Sequence, residues 1–154
     1  MIFLCVIMIF YEGEGMQKIV MLLLLSYFII ASEVGYVKSL KGKVVAKRDK
    51  KIILLNVGSK LYEDDLIITK NKSSVGIMFS DGTRISLGPK SIFSIKRFVV
   101  NPSKKDYDVD LSLIKGKASF SSGKIGEISP SSVKFRIPTG IIGIRGTKFM
   151  VEVI

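Results

Sequence analysis

Phe135-Arg-Ile-Pro-Thr-Gly-Ile-Ile-Gly-Ile-Arg-Gly-Thr-Lys-Phe-Met-Val151 is the stretch that decides how this chain folds. At its start Val133, Phe135 and Ile137 alternate with Lys134 and Arg136, and at its end Phe149, Val151 and Val153 alternate with Lys148, Met150 and Glu152. A period of two is the mark of a half-buried strand. The stretch therefore reads as two short strands around a glycine-punctuated connection. Within it Pro138 fixes φ and removes a backbone donor, while Gly140, Gly143 and Gly146 permit turns or close backbone approach. Arg145 interrupts an otherwise small and apolar segment. Its guanidinium either reaches solvent, contacts a ligand, or latches onto a fixed carboxylate or carbonyl cluster. The latch is the simpler account, since paired arginine is common inside β folds.

Working outward, the chain from Glu33 is strand after short strand. Val34 to Leu40, Lys43 to Lys47, Lys51 to Val57, Leu66 to Thr69, Val75 to Phe79, Thr83 to Leu87, Ile92 to Val100, Val109 to Ile114 and Lys117 to Phe120 precede the two closing strands. Gly, Ser, Asn and Asp separate them, and no amphipathic helix is expected after residue 32. The expected fold is all-β: one domain over residues 33–154, built of many short, mainly antiparallel strands in a sandwich or a rolled, β-helical arrangement. Asn101 to Asp108, polar and with Pro102, reads as the longest exposed loop. Turn-plus-strand units recur loosely at Leu40-Lys-Gly-Lys-Val44, Ile114-Lys-Gly-Lys-Ala118 and Ser122-Gly-Lys-Ile125, without the fixed period of a repeat protein.

The Ser80-Asp81-Gly82 turn permits a sharper expectation. A two-residue Asp-Gly turn would place the apolar residues of the flanking strands on opposite faces. A three-residue loop with Gly82 as the left-handed bulge residue pairs Phe79 with Thr83, Ile77 with Ile85 and Val75 with Leu87, which keeps them on one face.

Residues 1–32 have the layout of a secretory signal: Lys18, a nearly unbroken apolar run from Ile19 to Ile30, then the small residues Ala31 and Ser32. The run is shorter than the ~20 apolar residues a spanning helix needs, so cleavage and release to the periplasm is expected, with an uncleaved inner-membrane anchor as the alternative. Glu12-Gly13-Glu14-Gly15 looks like a translated ribosome-binding site, which makes Met16 the expected start. In that case Cys5, the only cysteine, is not in the protein. The whole chain of 154 residues carries a net charge of +11. Removing residues 1–32 takes away Lys18, Glu12 and Glu14, so the remainder carries +12 and the basicity belongs to the β domain. Such a surface suits anionic partners, an acidic cell-wall polymer among them, or serves solubility alone. No aromatic interleaving marks a base-stacking platform, and an export signal directs the basic surface away from nucleic acid.

Little here supports catalysis. The chain has no His, so the usual Ser or Cys triads cannot be assembled and a Cys/His zinc site is excluded. Ser-Lys chemistry is formally open, but Ser73-Ser74, Ser121-Ser122 and Ser131-Ser132 all sit in turn-like contexts and none is singled out. Asp106, Asp108 and Asp110 alternate, yet an EF-hand loop would want Gly and Glu where Leu111 and Lys117 stand. No enzyme activity, cofactor or metal is expected.

Ile137-Pro-Thr-Gly-Ile-Ile-Gly-Ile-Arg-Gly-Thr-Lys-Phe149 resembles the signature of the FecR family. Gly58 to Thr69 is similar to that family's Gly-x-x-Leu-x-x-x-Asp-x-Ile-x-Thr opening. Ser74 to Thr83, with Leu87-Gly-Pro-Lys-Ser91, is similar to its Asp-Gly-Thr and Leu-x-x-x-Ser centre, and Gly116 and Gly123 fit its later glycines. The resemblance spans about residues 34–154. It marks Asp81, Gly82, Thr83, Gly88, Ser91, Pro138, Thr139, Gly143, Arg145, Gly146, Thr147 and Phe149 as motif residues with structural or interaction roles. The best-understood members join a cytoplasmic sigma-factor-binding segment to a periplasmic part that receives a signal. This chain has no such segment ahead of the apolar run, and relatives often continue past the closing strand. The resemblance therefore implies a stand-alone periplasmic signalling or protein-interaction module, accessory to a membrane sensor, with an envelope or inner-membrane protein as partner. The alternative is a module that binds peptidoglycan or lipopolysaccharide through basic residues. An Arg145–Asp81 ion pair, closer than about 5 Å, is the expected latch.

Overall fold

The computed structural model describes residues 32–144 and 148–154. Apart from Ser32, the expected signal segment and the question of where the chain starts lie outside these residues. The strands are β1 (Glu33–Lys41), β2 (Val44–Arg48), β3 (Lys51–Leu54), β4 (Lys60–Tyr62), β5 (Leu66–Thr69), β6 (Ser74–Phe79), β7 (Arg84–Leu87), β8 (Ile92–Asn101), β9 (Asp106–Ser121), β10 (Val133–Ile137), β11 (Gly140–Gly143) and β12 (Lys148–Val153). The fold is all-β, as the strand periodicity implied.

Neighbouring strands form two sheets that share β9. One runs β4-β1-β6-β7-β9-β12 and the other β3-β2-β5-β8-β9-β10-β11. Every pairing is antiparallel except β9 with β10. The first half of β9 lies between β8 and β10, and its second half between β7 and β12. One strand thus carries the chain from one layer to the other, and the layers pack face to face. Phe79 of one sheet stacks on Phe98 of the other with ring centroids 4.5 Å apart. Phe120 meets Phe135 edge-on at 5.9 Å. Ile77, Ile85, Leu87, Phe93, Leu111 and Leu113 fill the space between them, fully buried.

The β6–β7 hairpin has the register expected from its apolar residues: Val75 opposite Leu87 and Ile77 opposite Ile85. The Gly82 N–H donates to Phe79 O (3.0 Å) and the Phe79 N–H to Thr83 O (2.9 Å), with Gly82 at φ +88. This is the three-residue loop with a left-handed bulge glycine. Val75, Ile77, Phe79, Ile85 and Leu87 are all buried, so burial of one face sets the register.

Several boundaries differ from expectation, each for a local reason. Asn101 to Asp108 is a tight turn rather than a long loop. The Asn101 side chain accepts the Lys104 N–H (3.2 Å), Lys105 takes φ +52, and Asn101 already pairs with Asp106. Val109–Ile114 and Lys117–Phe120 are one strand, bent but unbroken at Gly116. The strand from Lys51 ends at Leu54, because the Asn56 N–H is taken by the Ser59 hydroxyl (2.9 Å) in a turn. β4 and β11 are short strands that alternation did not reveal. One turn of helix, α1 (Ile125–Ile128), stands where none was expected. The two closing strands do not pair with each other. β10 turns back on β11 through Pro138-Thr139 and runs parallel to β9, whereas β12 pairs with the far half of β9.

Candidate functional site

The motif residues fall into separate clusters, each fastening one part of the roll. At the β6–β7 loop, Asp81 is buried and both its carboxylate oxygens accept hydrogen bonds. One takes the Thr83 N–H (2.8 Å); the other takes the Thr83 hydroxyl (2.7 Å) and, at 3.4 Å, the Ile125 N–H. The Thr83 hydroxyl oxygen in turn accepts from the Gly123 N–H (3.0 Å), and Asp81 O accepts from the Lys124 N–H (3.1 Å). Asp81 thus satisfies an otherwise orphan donor at the start of α1, where a carboxylate is favoured. A Cβ at Gly123 would lie 2.6 Å from Asp81 O, so only glycine lets this segment dock.

A second cluster sits at the bend of β9. Gly116 takes φ +93, and a Cβ there would lie 2.5 Å from the Ser91 Cα. The Ser91 hydroxyl accepts the Lys117 N–H (3.0 Å) and lies 3.2 Å from Lys117 O. The Thr69 hydroxyl donates to Gly88 O (2.6 Å) and accepts from the Ser91 N–H (2.8 Å). β5, the β7–β8 turn and the bend of β9 are thereby held at one point. The same chemistry recurs at the Leu40–Val44 unit, where the Lys43 N–H donates to the Ser73 hydroxyl (2.9 Å). Each loosely repeated Gly-Lys unit therefore docks on one hydroxyl: Ser73, Ser91 or Thr83.

Phe149 completes an aromatic cluster. It stacks on Phe120 (5.0 Å) and meets Phe135 edge-on (5.2 Å), tying β12 and β10 to β9. Pro138 and Thr139 form the turn between β10 and β11, and Gly143 ends β11 in an exposed position. Arg145, Gly146 and Thr147 lie outside the described residues, so the expected Arg145–Asp81 pair does too.

An arginine latch does occur elsewhere. The Arg48 Nε and Nη2 donate to the two oxygens of Asp65 at 2.7 and 2.8 Å. Asp65 is fully buried and also accepts the Tyr62 N–H (3.0 Å), while the guanidinium lies 4.2 Å from the centre of the Tyr62 ring. The hydrogen bond that Arg48 donates to Asp65 is the main cause that raises the Arg48 pKa above its ordinary range. Asp65 lies in the Gly58–Thr69 motif, and that was the available signal. Its partner Arg48 lies 17 residues earlier, outside any motif.

The alternating carboxylates meet cations instead of one another. Asp108 pairs with Arg97 (2.9 Å) and Lys134 (3.9 Å), and both oxygens of Asp110 accept from Arg136 Nε (2.8 and 2.9 Å). The Asp110 hydrogen bond likewise raises the Arg136 pKa. Among the described residues no group of His, Cys, Asp and Glu is placed to hold a metal ion. The serines of the turns are engaged locally: Ser73 with Asn71 O, Ser122 with Gly123 O, and Ser132 with Ser129. An open groove of about 480 Å³ crosses β7, β9 and β12. Its lysine, Lys117, pairs with Glu152 at 3.2 Å.

These features define a rolled, two-layer β domain whose polar motif residues hold its own backbone at the loops and the strand bend. The chain belongs to the FecR family: the family model described as FecR protein matches residues 65–153. No curated protein and no solved structure matches it. FecR domains occur in signalling and regulatory proteins and are not an enzyme family. Among the described residues no helix is long and apolar enough to cross a membrane.

Proposed function

We propose that this chain is an exported, non-enzymatic interaction module of the bacterial periplasm. It relays a signal by docking on an envelope or inner-membrane protein, as an accessory to a membrane sensor. The observation that carries this is where the polar motif side chains go. Asp81, Thr83, Thr69 and Ser91 each bond to backbone or to one another inside the fold. Groups bound in this way build a rigid surface and leave no activated nucleophile or base. Family membership supports a signalling role over catalysis.

Two measurements test it. A fusion of the full chain to alkaline phosphatase should be active only while residues 1–32 are present. Photo-crosslinkers on the surface of the β domain should capture a membrane or envelope protein in high salt. An inactive fusion, or turnover of a substrate by the purified protein, overturns the proposal. The net charge of +12 on residues 33–154 favours one other reading, a module for acidic wall polymer. Co-sedimentation with cell-wall sacculi that fails in high salt would select it.

A further inference from the structure

The sheet β3-β2-β5-β8 is apolar on both faces. Its inner face carries Val44, Ala46, Ile67, Phe93 and Ile95, all in the core. The alternate residues point the other way and belong to no part of that core. Across the strands they form a row in register: Leu54 opposite Val45, Val45 opposite Ile68, and Ile68 opposite Ile92. Ile52 and Leu66 flank Lys47 in the adjoining row. Ile52 is 73% and Leu54 55% exposed, Leu66, Ile68 and Ile92 are half-buried, and Val45 between them is buried by its neighbours on the face. The sequence of these strands fits this placement. Ile52-Ile-Leu-Leu55 and Leu66-Ile-Ile68 are continuous apolar runs, the pattern of strands covered on both sides. An aliphatic row outside the core, open to solvent at Ile52 and Leu54, marks an interaction surface.

Charge identifies what covers it. β2, β3, β5 and β8 contain no Asp or Glu. Lys47 stands on the outer face and Lys96 is exposed in the bulge of β8, neither with a carboxylate partner among the described residues, and Lys43, Lys70 and Lys90 are joined at one end by backbone hydrogen bonds. A second copy of the same four strands would set lysine against lysine, since Asp108 and Asp110 further along the sheet are already engaged by Arg97 and Arg136 and only Asp49, in the β2–β3 turn, stands nearby. An aliphatic face rimmed by lysines suits an anionic bilayer instead. Ile and Leu reach the acyl boundary, and the lysine stems lie along it with their ammonium groups at the lipid phosphates. We infer that the outer face of β3-β2-β5-β8 seats the domain on an anionic membrane surface.

The test uses the full chain with Cys5→Ser, reconstituted in vesicles and labelled with an environment-sensitive dye at Leu54→Cys. A second protein carries the dye at Met150→Cys, on the outer face of the other sheet. Both positions are exposed, so neither label disturbs the core, and whatever residues 1–31 do at the bilayer is common to the two. In vesicles containing phosphatidylglycerol, doxyl-labelled lipid should quench the dye at position 54 at least about twofold more than at position 150. Lys47→Glu with Lys96→Glu, or vesicles of phosphatidylcholine alone, should remove the difference. Equal quenching at both positions overturns the inference. So does dye–dye contact at position 54 without lipid, which would mark a second copy on this face. The proposed signalling role stands or falls separately, on the fusion and crosslinking results.

Discussion

Asp65 and Asp110 are both paired with an arginine, at 2.7 and 2.8 Å, yet they belong to different parts of the molecule. Asp65 is fully buried at the joint of β2, β4 and β5, held in bidentate fashion and also bonded to backbone. Asp110 lies on the outer face of the second sheet in a cross-strand ladder with Asp108, Arg97, Lys134 and Arg136, partly open to solvent. Distance is therefore a poor guide to how much an ion pair stabilises. A buried carboxylate stripped of its partner has nowhere to go, whereas an exposed one returns to water. The buried contacts of this fold sit where the chain changes direction, and they fix its shape. The exposed ones decorate a sheet that β pairing already specifies.

The hardest blow to the buried side of this contrast is Gly116→Ala. A side chain there meets Ser91, and the residue must keep φ +93. Left-handed strain and overpacking together should cost about 4 kcal/mol, read as loss of cooperative unfolding in urea. Arg48→Met comes next. It orphans buried Asp65 and should destabilise by about 3 kcal/mol, a deficit that about 1 M NaCl leaves in place. Asp81→Ala removes acceptors from Thr83 and from α1 and should cost about 2 kcal/mol, with amide exchange rising first at Gly123 to Ile125. Arg136→Met, on the exposed side, should give the smallest loss of the four, and high salt should abolish it. If Arg136→Met matched Arg48→Met, the contrast would collapse. Alkaline pH should not separate the two pairs near neutrality. Both arginines have raised pKa values in the fold. Their contribution is complete below the ordinary arginine range and is lost only as pH rises through the folded value, so a scan across about pH 6–9 should leave both deficits unchanged.

How much of this was legible depended on whether the signal is local. Alternation at Val133–Ile137 and Lys148–Val153 marked two strands, but not that one runs parallel and the other antiparallel to β9. The two pairings bring Phe135 and Phe149 together on Phe120, a contact between distant segments that alternation does not foretell. The Lys-Gly-Lys unit at Gly116 read as a turn between strands. In the fold it is a bend within one strand, because Ser91, 26 residues away, supplies the hydrogen bonds the bend needs. Asp81 was marked by motif, and its partners at Gly123 to Ile125 were not, since nothing in the intervening chain spaces them.

The sequence alone determined the all-β class, the family and the register of the β6–β7 hairpin, because each follows from local periodicity, a short motif or the demand that one strand face be apolar. Only the tertiary structure decided that Arg48 latches onto Asp65, that β9 joins two layers, and that β3-β2-β5-β8 shows an apolar face to its surroundings. Those outcomes depend on which distant segments come to lie side by side, and residue order does not encode proximity until the core has formed.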